Sequence, residues 1–286
     1  MAQMGMKDIK RRIRSIRNTR QITKGMELVA AAKLRKARNR FEKTRAYFEA
    51  VVSTVRDIAA GSSSGKNPFL EEREVKRELF IVVTSDRGLC GGYNVNVIKE
   101  VISRLEDGKE YAFIAVGRRG RDYLRARGYE LAGDYAGISE SPQYADARQI
   151  GDIAAGMFRE GRVDRVSIAY TRFVSTISQE PRVMTLLPVA AGENEAQGKT
   201  EDIMTYEPSP EAVLETLIPM YVHGSVFGAL VEASASEQAA RRMAMESATG
   251  NANKMIDELI LSYNRARQEI ITREISEIVG GAEAIE

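Results

Sequence analysis

The sequence predicts an α/β domain inserted into a long antiparallel coiled coil made by the two termini, and three observations predict it. From about Pro208 to Glu286 no tract reads as a sheet strand; residues 2 to 60 hold no proline; and between these ends β-branched runs alternate with helical stretches. Near the C-terminus Ile256, Leu259, Tyr263, Ala266 and Ile270 fall at spacings of three and four, and Ile271, Ile275 and Ile278 continue after a one-residue drift. That is the period of a helix whose apolar stripe faces another helix. Such a helix would reach roughly 100 Å and cannot stand alone in water. Its partner is the other terminus.

There, Leu34, Ala37, Phe41, Thr44, Phe48, Val51, Val55 and Ile58 alternate by three and four, as a coiled-coil seam does. Ile9, Ile13, Ile16, Ile22, Met26 and Val29 extend the seam upstream less regularly. Pairing is antiparallel because both ends are helical and the insert is compact, so the chain goes out and comes back. Charge is segregated: Lys7 to Arg45 holds 15 Lys/Arg against Asp8, Glu27 and Glu42, within a chain of net charge +2. A stretch so basic calls for an acidic partner or a strongly solvated face.

GSSSGKNP, from Gly61 to Pro68, opens a linker over residues 61–76. It is no phosphate loop: Ala60 stands where the first glycine belongs, Asn67 replaces the magnesium-binding hydroxyl, and no strand precedes it. Within residues 77–207, strands are expected at Leu79 to Ser85, Tyr111 to Gly117, Val166 to Phe173 and Arg182 to Val189, the last two paired through a turn. Helices are expected from about Val95 to Leu105, Arg118 to Arg127 and Tyr144 to Phe158. The alternation implies a mainly parallel, Rossmann-like sheet covered on both faces. Residues 1–60 and 208–286 would then form the shaft. Pro219 and Gly250 are candidate breaks in its second helix.

Chemistry is scarce. The single cysteine, Cys90, forbids an internal disulfide, and with one histidine, His223, there is no Cys/His zinc cluster. A Ser-His-Asp arrangement would have only His223 to draw on. Gly88-Leu-Cys-Gly91-Gly92 lies between a strand and a helix, where dinucleotide folds hold phosphate, but the G-x-G-x-x-G spacing is missing. No catalytic, cofactor or metal site is expected. No apolar run approaches the 18 residues of a membrane span, so the chain is expected to be soluble. A stand-alone nucleotide-binding α/β enzyme and a basic coiled-coil adaptor or nucleic-acid binder are the alternatives. Against nucleic acid, no aromatic precedes Phe41 to stack on bases, and the seam is committed to a helix.

Four blocks then carry a resemblance: Ile9 to Arg38, TSDRGLCGGYNVN (Thr84 to Asn96), ASEQAARRMAME (Ala235 to Glu246) and Leu261 to Ala282. In this order they resemble the gamma subunits of F-type ATP synthases from end to end. The resemblance implies a non-catalytic rotor, one copy per complex, peripheral on the cytoplasmic face of the cell membrane and needing no cofactor. Its partners would be three alpha and three beta subunits, the epsilon subunit and the c-subunit ring, whose proton-driven rotation it would pass to the catalytic sites. By motif matching, Met26, Lys33, Lys36, Arg241, Arg267, Gln268 and Thr272 would meet the alpha/beta ring. Asp86, Arg87, Tyr93 and Tyr206 would meet epsilon or the c ring, and Ile275 to Ile285 would sit in the ring's upper bearing.

Overall fold

The computed structural model describes residues 6–61, 68–71, 73–189 and 210–283; Tyr206 and residues 62–67 of the linker lie outside them, as do the side chains of Phe48 and Ile58. The elements are α1 (Met6–Gly61), β1 (Arg77–Val83), α2 (Tyr93–Ile102), β2 (Glu110–Val116), α3 (Arg118–Ala126), β3 (Glu130–Tyr135), α4 (Tyr144–Arg159), β4 (Arg165–Phe173), β5 (Gln179–Leu187) and α5 (Pro210–Glu283). They form two compact units, one of Ala31–Arg241 and one of Met1–Ala30 with Arg242–Glu286.

In the first unit five strands make one sheet in the order β3-β2-β1-β4-β5. β1 pairs parallel with β2 and β4, β2 pairs parallel with β3, and β5 runs antiparallel to β4. The alternation of β1 decides what covers each face. Leu79, Ile81 and Val83 pack in one cluster with Ile150 and Phe158 of α4 and with Val222, Val226 and Leu230 of α5. Phe80 and Val82 point the other way, onto Val97 and Val101 of α2 and Leu124 of α3. Full burial of each such side chain contributes about 1.5–3 kcal/mol.

β3 was not expected from the sequence. ELAGDY is interrupted by Gly133 and half polar, and the strand is an edge whose side chains are mostly only partly buried. An edge strand needs no continuous apolar run, so its signal is weak. Pro219 does not break α5, which runs unbroken from Pro210 to Glu283. Proline inside a helix costs about 3 kcal/mol. Its neighbours Ile218, Tyr221 and Val222 are fully buried, and their burial outweighs that cost.

In the second unit the first part of α1 and the last part of α5 lie antiparallel, with Thr23 opposite Thr249 and Arg20 hydrogen-bonded to Asn253. The seam there differs from the expected one. Ile22 and Val29 point outward, Ile22 being 63% exposed, while Thr23 and Ala30 are buried. Regular steps of three and four from Ile9, Ile13 and Ile16 arrive at 20, 23, 27 and 30, one residue away from the apolar side chains. Helix geometry fixes the seam, and residue type follows only where it can. Leu259, Tyr263, Ala266 and Ile270 are partly buried as expected, but Ile271, Ile275 and Ile278 are exposed and do not continue the stripe. Counted from the Thr23–Thr249 contact, Met6 comes level with about Ala266.

Gly117, which joins β2 to α3, has φ +84, and a Cβ there would lie 2.2 Å from the carbonyl oxygen of Thr84. Gly117→Ala is therefore expected to destabilise the chain by about 3 kcal/mol or more, read as a lower urea midpoint.

Candidate functional site

At the carboxyl ends of the parallel strands the chain fills its own crevice. Strand order reverses direction beside β1, where open α/β sheets hold ligands. Here α5 occupies that place. Between residues 221 and 239 every residue of α5 except Gly228 and Glu232 is buried. The Tyr93 hydroxyl donates to the Ala233 carbonyl (3.2 Å), and the Glu232 carboxylate accepts from the Phe173 amide (3.0 Å).

The helix N-terminus that could meet a phosphate is also engaged. Of the first amides of α3, Arg118 donates to Asp86 Oδ1 (3.2 Å), Arg119 to the Ser85 carbonyl (3.1 Å) and Gly120 to Thr84 Oγ1 (2.8 Å). Asp86 also accepts from the Gly137 amide (2.8 Å) and the Ser139 hydroxyl (2.9 Å). Burial works to raise its carboxyl, but the hydrogen bonds from Gly137, Ser139 and Arg118 prevail and hold it below the usual carboxylate range. An internal anion thus stands where a dinucleotide fold would bind an external one.

Around this corner lies a set of charges that joins α1 and α5 to the sheet. Lys33 reaches Glu140 (2.6 Å), whose backbone carbonyl accepts from the Ser234 hydroxyl (3.0 Å). Arg241 pairs with Glu237 (2.7 Å) and reaches the Gly88 carbonyl (3.4 Å). Burial pushes the Glu237 carboxyl up against the pull of Arg241. The loop after β1 is further pinned by Asn94, which accepts from the Ser85 amide (2.8 Å). At its tip Leu89 is exposed in a left-handed conformation, φ +63.

The expected contact residues fall in both units. Lys33, Asp86, Arg87, Tyr93 and Arg241 share this one corner. Of these Arg87 is exposed, whereas Tyr93 (5%) and Arg241 (7%) are buried and support the loop from inside. Lys36 is exposed on α1. Met26, Arg267, Gln268 and Thr272 belong to the other unit, Met26 partly buried and the rest exposed. Sequence reasoning missed Glu140, Ser139, Ser234 and Glu237. A usable signal was present for the last two: ASASEQ is a small, polar run inside an otherwise apolar helix. Glu140 and Ser139 sit in a loop whose spacing marks nothing.

Asp86→Ala is expected to cost about 1–2 kcal/mol at pH 7, discounted because the group is partly exposed. Because the folded carboxyl titrates below its ordinary value, its contribution is present above the unfolded pKa and lost as pH falls through the folded one. The gap between variant and wild-type urea midpoints should therefore persist through the usual carboxylate range and close only as pH falls below it.

Comparison with known proteins gives a consistent result. A family described as ATP synthase matches residues 5–285. The "ATP synthase gamma chain" of Alkaliphilus metalliredigens is 51% identical over 286 residues, covering 99% of each chain. The "ATP synthase gamma chain, sodium ion specific" of Acetobacterium woodii is 50% identical over 297 residues, covering 98% of each. Among solved structures, the central stalk and c ring of the Tetrahymena thermophila mitochondrial ATP synthase contains a chain matched at TM-score 0.64 and 27% identity, over 79% of this chain and 99% of that one. A chain of the Euglena gracilis mitochondrial enzyme shares the fold at TM-score 0.74 and 19% identity, over 98% of this chain and 94% of that one.

Proposed function

The chain belongs to the ATP synthase family, and from that premise we propose which of its surfaces do the work. Its role is that of the central-stalk rotor, a non-catalytic part of the membrane-associated F-type complex that acts with the alpha, beta and epsilon subunits and the c-subunit ring. Among the described residues no helix is long and apolar enough to cross a membrane. We assign the chain to the cytoplasmic face, held peripherally through its partners.

A single chain supplies both helices of the shaft, so the shaft has no rotational symmetry and meets three equivalent catalytic subunits unequally. Moving one site from 1:99 to 99:1 between open and closed requires a preference of about 5.5 kcal/mol. Scattered exposed ion pairs at about 0.2–1 kcal/mol each do not reach that singly, but several desolvated charge pairs can. Arg267, Gln268 and Thr272 on α5, with Met26 and Lys36 on α1, are the proposed direct contacts with the ring. The observation that carries this reading is the end of α5. There Ile271, Ile275 and Ile278 are exposed, the last at 72%, an apolar surface suited to an enclosing bearing.

Lys33 can join the ring contacts only by leaving Glu140. Both side chains of that pair are about half to one-third exposed, so the pair contributes at most about 1 kcal/mol and exchange is easy. Arg241 acts indirectly, by holding the Gly88 carbonyl. On the side of epsilon and the c ring, Arg87 is the exposed residue able to reach out, Asp86 and Tyr93 set the shape of its loop, and Tyr206 is proposed from its motif alone.

Arg267→Ala with Gln268→Ala is expected to lower ATP turnover of the reconstituted complex about tenfold, equivalent to ~1.4 kcal/mol, with the helical content of the chain unchanged. Turnover at the wild-type level would remove both residues from the coupling role.

A further inference from the structure

We propose that Glu140 is an internal stand-in for a carboxylate of the alpha/beta ring, holding Lys33 whenever no ring acid is in reach and yielding it when one arrives. The choice of partner rests on the rotor reading, whereas the internal pair stands on geometry alone. Lys33, Glu140 and the groups around them all belong to the unit Ala31–Arg241.

The basic stretch of α1 finds few acids on its own helix. Asp8, Glu27 and Glu42 pair there with Arg11, Lys24 and Arg38. Lys33 has no acid three or four residues away on either side, and Lys36, one turn on, adds like charge. Its ammonium reaches instead to Glu140 Oε2 (2.6 Å), in the loop between β3 and α4.

That loop does not need the pair to keep its shape. The Ser234 hydroxyl donates to the Glu140 carbonyl (3.0 Å), and the neighbouring Ser139 hydroxyl donates to Asp86 (2.9 Å). The backbone is thus fixed from both sides, and the Glu140 side chain is the movable part. The hydrogen bond from Lys33 holds its carboxyl below the usual carboxylate range against partial burial, and the Arg87 and Arg241 charges act in the same direction. When Lys33 turns away, neither charge is left bare. Lys33 meets the incoming acid, and Glu140 stays in the field of two guanidinium groups. Both members of the pair are partly exposed, so an outside carboxylate approaches Lys33 without opening the core. Exchange of one such pair for another costs little.

A rotor makes and breaks the same contact with each equivalent subunit in turn. A lysine that falls back onto Glu140 between partners never passes through an unpaired state, which lowers the barrier between successive contacts. Glu140 also sets a threshold, since a ring group that does not out-compete it gains nothing.

A carbodiimide, which joins a carboxylate to an amine in direct contact, reads the exchange. In the free full-length chain, mass spectrometry should find Lys33 linked to Glu140. In the complex reconstituted with alpha and beta subunits that link should fall by about half or more, replaced by Lys33 linked to a ring carboxylate. Glu140→Gln, which keeps the carbonyl bonded to Ser234, should tighten association with the ring about threefold at low salt. The gain should vanish in a Lys33→Gln background. An internal link undiminished in the complex would overturn the proposal. So would unchanged or weaker association of Glu140→Gln, or an equal gain with Lys33→Gln. A wild-type chain that does not associate with the ring at all would instead remove the rotor reading, and with it the ring as partner.

Discussion

The structure depends on one constraint, that a single helix must satisfy two environments in succession. From 221 to 239 α5 is buried on almost every side against the sheet and its neighbours, and past Ile256 only one stripe of it is covered. The sequence meets both demands by changing texture along the helix. Tyr221, Val222, Val226 and Leu230 suit an interior, the alanines and serines between Ala233 and Ala240 allow close approach, and a 3-4 repeat suits a pair. Burial of this length is what holds Pro219 inside an unbroken helix, a position that propensity alone would reject.

The same burial explains why a fold of nucleotide-binding shape has become a mechanical part. With α5 in the crevice and Asp86 at the first amides of α3, the features that would otherwise recruit an anion are satisfied from within. Their hydrogen bonds stiffen the loop after β1 instead of binding a ligand. Such a corner needs no chemistry. It needs a defined shape, which Tyr93, Asn94, Arg241 and Glu237 supply from below. Lys33 and Glu140 add a weaker pair at its rim, suited to exchange more than to support.

Much of this was legible in the sequence because the signals were periodic. The long helices, the four strongly apolar strands and both covered faces follow from spacing and from β-branched runs. β3 was not legible because an edge strand can be half polar and interrupted by Gly133. The seam between 20 and 30 was misread because Ile22 and Val29 are apolar yet lie one residue off the axis that Ile9, Ile13 and Ile16 define. Asp86, Tyr93 and Arg241 are the type of residue that contacts a partner, and nothing local marks them as turned inward.

By itself, then, the sequence determined every element but β3, the antiparallel return of the chain and, through four ordered blocks, the family. These rest on local period and composition, which are properties of a string. Only the tertiary structure decided which charged side chains are spent inside the chain and which remain for a neighbour. That choice depends on what lies across a gap of about 3 Å, often a residue a hundred or more positions away, as Arg241 is from Gly88. Distance in the fold, unlike distance along the chain, has no local spelling.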